Sequence, residues 1–142
     1  MKLSFVGLLG LLMVSAAQAQ SGDEYNLACI KSLVLLPYPP IARQARVTGE
    51  VSVEVTVSKV GGAEKIEFVS AQPKRLLADP VKEYMTKAQY DPTCVGKAVR
   101  LRFVFEVHEE LPPVSTTDAK TEVVFKGPNT FIIATPPGVV MF

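Results

Sequence analysis

Between Val51 and Ser58 the chain alternates strictly, with Val51, Val53, Val55 and Val57 set against Ser52, Glu54, Thr56 and Ser58. A period of two puts the valines on one dry face of a β-strand and the polar residues on the other. A second alternation, Val99, Leu101, Phe103, Phe105 and Val107 against Arg100, Arg102, Glu106 and His108, predicts another such strand, with Val104 the one apolar residue on its outer face. Between the two, Val60-Gly61-Gly62-Ala63 has hairpin chemistry, and Ile66, Phe68 and Val69 predict a strand ending near Ser70. Ala71-Gln72-Pro73 then breaks the run.

Two helices are expected. Tyr38-Pro39-Pro40 fixes an extended entry and then a proline in the first helical turn, where its missing N–H costs nothing. The short amphipathic piece that follows should close at Gly49 in the left-handed conformation. Asp79-Pro80 reads as the N-cap and first position of the second helix, with Leu77, Val81, Tyr84, Met85 and Ala88 on its apolar stripe. It should end before Asp91-Pro92, because a residue preceding proline is pushed out of the α region.

Helix, strand, strand, helix, strand is an α+β order. It predicts a small antiparallel or mixed sheet, the Val51 strand in the middle, two helices on the valine face, and residues 99–107 as an edge strand with one unpaired flank. The helix between the second and third strands implies a right-handed crossover. Farther on, residues 122–126 and 130–134 are β-prone runs around Gly127-Pro128-Asn129, which predicts a C-terminal β-hairpin with the composition to occupy that same edge in cis. The apolar tail, residues 136–142, suits no regular element and should pack on something.

The start of the chain bears on location. Lys2, the apolar run of residues 3–14 and Ala17-Gln18-Ala19 have the build of a secretory signal peptide cleaved after Ala19. The alternative is an uncleaved helix anchored in the inner membrane, for which the apolar run is short. The resulting organisation is a signal peptide over 1–19, an N-terminal segment over 20–37, a domain over 38–108 and an extension over 109–142. Removing the leader takes the formal charge from +1 to 0, so no nucleic acid and no polybasic membrane contact is implied.

Cys29 and Cys94 are the only cysteines, and export would place them where thiols are oxidised. A lone distant pair lacks the C-x-x-C spacing and the second set of soft ligands that redox or metal chemistry needs, so a structural disulfide is expected. His108 is the only histidine and has no serine, cysteine or carboxylate pair spaced to act with it. No catalytic residue, metal or cofactor is expected.

Tyr38-Pro39, Ala42, Gly49 with the four valines, the Gly61 turn, Leu77, Lys87, Tyr90, Pro92 and the last alternating strand occur in an order that resembles the C-terminal domain family of the TonB energy transducers. The resemblance covers about residues 38–107. Departures are Ala88 where the family usually has tryptophan, Ala78 where it often has aspartate, and Ser58-Lys59 in place of a more acidic turn entry. It implies a periplasmic, TonB C-terminal-like domain that takes a short extended peptide of an outer-membrane transporter, or of another envelope protein, as an added strand, within energy-coupled transport across the outer membrane. Carried over, the peptide-binding edge strand is Val99, Arg100, Leu101, Arg102, Phe103, Val104, Phe105, Glu106 and Val107, with Tyr38 and Pro39 as a secondary partner contact. The same edge could serve self-association.

Only 18 residues separate Ala19 from Tyr38, far less than a periplasm-spanning spacer. The expectation is therefore a free exported binding module. Two other classes stay open at this point. One is an exported structural or inhibitory α+β domain, since Gln44-Ala45-Arg46-Val47-Thr48-Gly49 approximates a cystatin-like Q-x-V-x-G loop with one residue too many. The other is an enzyme built around His108, against which a solvated histidine is the simpler reading.

Overall fold

The structure, a computed structural model, describes residues 24–115 and 119–139. A 3₁₀ turn, Leu27–Cys29, leads into β1 (Ile30–Ser32), and α1 (Pro40–Gln44) precedes the hairpin of β2 (Gly49–Val57) and β3 (Ala63–Gln72). A π-helical turn, Lys74–Ala78, runs into α2 (Asp79–Lys87), followed by β4 (Gln89–Tyr90), a 3₁₀ turn at Pro92–Cys94 and β5 (Ala98–Val107). The chain then adds β6 (Glu122–Phe125) and β7 (Thr130–Thr135). The main sheet has the order β3-β2-β5-β7-β6, and β1 pairs with β4 in a small second sheet. All neighbours in the main sheet are antiparallel except β5 and β7, which are parallel. The fold is α+β with a mixed sheet and one main helix. Among the described residues no helix is long and apolar enough to cross a membrane. The expected leader, residues 1–19, lies outside them.

The two alternations are the core. Val51, Val53, Val55 and Val57 are each no more than 1% exposed, and they face Val99, Leu101, Phe103 and Phe105 from β5. Leu77, Val81 and Met85 close this face from the helical side, together with Ala42 of α1. The polar faces of the same strands carry Arg100 beside Glu54, at 3.1 Å, and Arg102, whose Nε and Nη2 donate to the two carboxylate oxygens of Glu50. These exposed cross-strand pairs hold Glu50 below the usual carboxylate range, chiefly through its hydrogen bond with Arg102.

β3 does not end near Ser70; Ala71 and Gln72 stay in the strand, paired with Val51 and Glu50, because the long β2 partner extends back to Gly49 and the break falls at Pro73. Gly49 does not close α1; the left-handed residue there is Arg46, at φ 52°. Gly49 opens β2, where a Cβ would lie 1.8 Å from the Gln72 carbonyl oxygen, so the requirement for glycine is a close approach of β3. Asp79 is not an N-cap either. The residue before it is already helical, at φ −69° and ψ −45°, and makes no capping bond, because the helical run begins one turn earlier after Pro73. Tertiary packing of Leu77, fully buried, is what draws that extra turn into the helix.

Cys29 and Cys94 form a disulfide with Cα atoms 5.9 Å apart. It joins the two 3₁₀ turns, and the Asp91 N–H donates to the Cys29 carbonyl alongside, at 2.7 Å. The N-terminal segment is thereby fixed against the start of β5.

Candidate strand-addition edge

β5 has two flanks. Backbone groups alternate in direction along an antiparallel strand, and because the N–H groups of even-numbered residues bond away from β2, those of odd-numbered residues turn toward it. The Arg100, Arg102 and His108 N–H groups donate to the carbonyls of Tyr25, Asn129 and Thr135, at 3.0, 3.0 and 2.9 Å. Val104 and Glu106 lie between them on the same flank. This is the flank that sequence periodicity leaves unpaired.

In the folded chain that flank is occupied throughout. β7 covers its lower part in parallel register, from Arg102 beside Thr130 to Val107 beside Thr135. At the upper part the Asn26 side-chain amide donates to the Ala98 carbonyl at 2.7 Å, and the Asn129 side chain donates to the Arg100 carbonyl at 3.2 Å. Side chains on the dry face lock β7 in place. Ile133 is fully buried, and the Phe131 ring stacks on Phe103 at 5.7 Å. β6 then becomes the outer strand on this side, with Val124 and Phe125 about half exposed, at 45% and 53%.

Tyr38 and Pro39 are buried in this arrangement, Tyr38 to 3% exposure. The Tyr38 ring meets Phe105 edge-on at 5.5 Å, its hydroxyl donates to the Val47 carbonyl, and its N–H donates to Thr121 Oγ1 at 3.0 Å. Here the pair plugs the end of the sheet and faces the chain's own core. Desolvation pushes the Tyr38 phenol up to about 12.

Arg43 has no counterpart in the sequence reading, because a single arginine on a five-residue helix looks like solvated surface. It is only 3% exposed. Its Nε donates to Thr135 Oγ1 at 3.0 Å and to the Pro136 carbonyl at 3.1 Å, and its Nη2 donates to the Pro137 carbonyl at 3.2 Å and to the Val114 carbonyl. Four acceptors of the extension therefore converge on one α1 side chain where β7 leaves the sheet. Gly138 packs against the same helix, where an added Cβ would lie 2.6 Å from Gln44 Oε1 and 3.3 Å from Gln44 Cα. The described part of the apolar tail thus packs on its own domain.

His108 lies just past β5, with Nδ1 2.9 Å from Glu110 Oε1 on the surface. Among the described residues no group of three or more histidine, cysteine, aspartate or glutamate side chains is placed to hold a metal.

Comparison with known proteins gives the edge its context. The profile of the Gram-negative bacterial TonB protein C-terminal matches residues 35–108, which ends just past β5. Protein TonB of Salmonella typhimurium (strain LT2) is 30% identical over 71 residues, covering 50% of this chain and 29% of the relative. Protein TonB of Escherichia coli (strain K12) is 27% identical over 71 residues, covering 50% of this chain and 30% of the relative. The chain thus spans less than a third of the length of either relative, and β6 and β7 come from outside the matched region. The β2–β3 hairpin with the dry face of β2 under α2, the β5 strand beside it at the middle of the five-stranded sheet, and the match over 35–108 together make this chain a member of the TonB C-terminal family.

Proposed function

We propose that this chain is an exported, periplasmic TonB-like adaptor that takes an extended segment of an outer-membrane transporter, or of another envelope protein, as a strand on the flank of β5 that faces away from β2. It acts by binding and not by catalysis, and it needs no cofactor. The observation that carries this reading is β7 itself. A strand drawn from outside the family region already pairs with Arg102 to Val107, so this flank accepts an added strand in parallel register. In strand addition the backbone supplies most of the contact and the pockets under alternate side chains supply selectivity, here the places now filled by Phe131 and Ile133. The partner displaces β6 and β7, which act as an internal competitor.

Titration of the isotope-labelled full chain with transporter-derived peptides tests this. Binding peptides should shift the amides of Arg102, Val104 and Glu106 before those of β3. The Val104 N–H lies on the flank that β7 also uses, so Val104→Pro is read in a folded chain ending at Glu110, where no internal strand is weakened alongside the partner, and it should reduce affinity there by about tenfold, the size of one or two lost backbone hydrogen bonds. Shifts confined to β3 in the full chain, or unchanged affinity of the folded shortened chain on Val104→Pro, would remove β5 as the site.

A further inference from the structure

Arg43 is served by neutral acceptors only. Among the described residues no ion pair reaches it, and its Nη1 is buried with no hydrogen-bond partner. A buried guanidinium is under-satisfied in such a setting, since charge-assisted bonds to a carboxylate are about twice as strong as neutral ones and a carboxylate matches the guanidinium fork. The position is also specific. Thr135 is the last β7 residue paired with β5, and Arg43 binds the carbonyls of the next two residues, Pro136 and Pro137.

From this placement we infer that Arg43 determines specificity at the β5 edge. It selects a partner segment that runs parallel to β5 and carries a carboxylate one or two residues beyond its last paired position. This rests on the strand-addition reading of β5. The chemistry also accounts for exchange. The internal strand offers Arg43 carbonyl and hydroxyl oxygens and leaves Nη1 unused, whereas an acidic partner satisfies the charge, so a partner with the carboxylate displaces β7 more readily than one without it.

Two peptides separate the possibilities: the sequence of residues 129–135 extended by Gly-Asp-amide, and the same sequence extended by Gly-Asn-amide. Each is titrated into the full chain, with affinity read at the β5 amides. The aspartate peptide should bind about tenfold more tightly, as a charge-assisted bond in place of a neutral one implies. In Arg43→Gln the two affinities should become equal. If that variant does not fold, Arg43→Lys keeps the charge, loses the fork, and should reduce the preference several-fold. Equal affinities in the natural chain, or an undiminished preference in either folded variant, would overturn the role of Arg43 and leave strand addition standing. Absence of any shift on β5 with both peptides would overturn strand addition and this inference with it.

Discussion

Tyr38 and Tyr90 are the residues at which burial has its clearest chemical consequence. Tyr90 is 1% exposed and donates its hydroxyl to the Met85 carbonyl at 2.9 Å, and desolvation raises both phenols from the ordinary 10.0 to about 12. A raised acid keeps its proton in the fold after the unfolded chain has lost it. The stabilisation is complete below pH 10 and is lost as pH rises from about 10 toward 12. Tyr38→Phe and Tyr90→Phe should therefore each flatten the alkaline fall in stability, measured by denaturant midpoints between those limits. At neutral pH each should cost about 1 kcal/mol, for one buried hydrogen bond. An alkaline slope identical to that of the natural chain would show that these phenols do not carry it. The aromatic character of both positions is readable in the sequence. Their burial is not, because a tyrosine beside prolines suits a surface anchor as well as a plug.

At the scale of elements, the disulfide and the π-helical turn show how local signals are completed at long range. The two cysteines stand 65 residues apart, so chain-entropy arguments give the bridge about 4 kcal/mol of stabilisation. Cys29→Ser with Cys94→Ser should lower unfolding free energy by an amount of that order. It should also speed hydrogen exchange at Arg100, whose N–H is held by Tyr25 next to the bridge, more than at Leu101, which faces β2. Equal acceleration at both amides would mean the bridge braces the whole sheet and not the N-terminal cover. Hairpin β2–β3 follows its glycines closely: Gly61 takes φ 82°, and its carbonyl accepts the Tyr90 N–H at 2.8 Å. Helix boundaries followed less well, since Asp79-Pro80 is a sound local start signal overridden by the burial of Leu77.

For the molecule as a whole, the family domain and its C-terminal extension compete for one backbone flank. An internal strand has a high effective concentration, so a partner peptide sees an affinity reduced by the cost of displacing it. A chain ending at Glu110 should bind transporter-derived peptides more tightly than the full chain, by tenfold or more, with calorimetry performed only on samples whose far-UV circular dichroism and thermal transition show a folded domain. Equal affinity for the two folded forms would mean that β7 does not regulate access to β5. The shortened chain should also self-associate more readily, because an uncovered strand edge accepts a second copy as well as a peptide. In the full chain β6 takes over as the outer strand, and its four residues offer a much shorter edge.

The sequence alone determined which faces are dry. Period-two runs at Val51 to Val57 and Val99 to Val107, helical spacing at Val81 and Met85, the glycine turn and the single cysteine pair specify the α+β core and the family. Only the tertiary structure decided what covers the second flank of β5, which arginine is buried, and why Gly49 must lack a side chain. The reason is physical. Side-chain patterns record the environment above and below a strand, whereas pairing along its edge uses backbone groups that every residue shares. The partner at that edge is therefore set by where the rest of the chain returns, through Tyr25, Asn129 and β7, and by the acceptors that gather around Arg43.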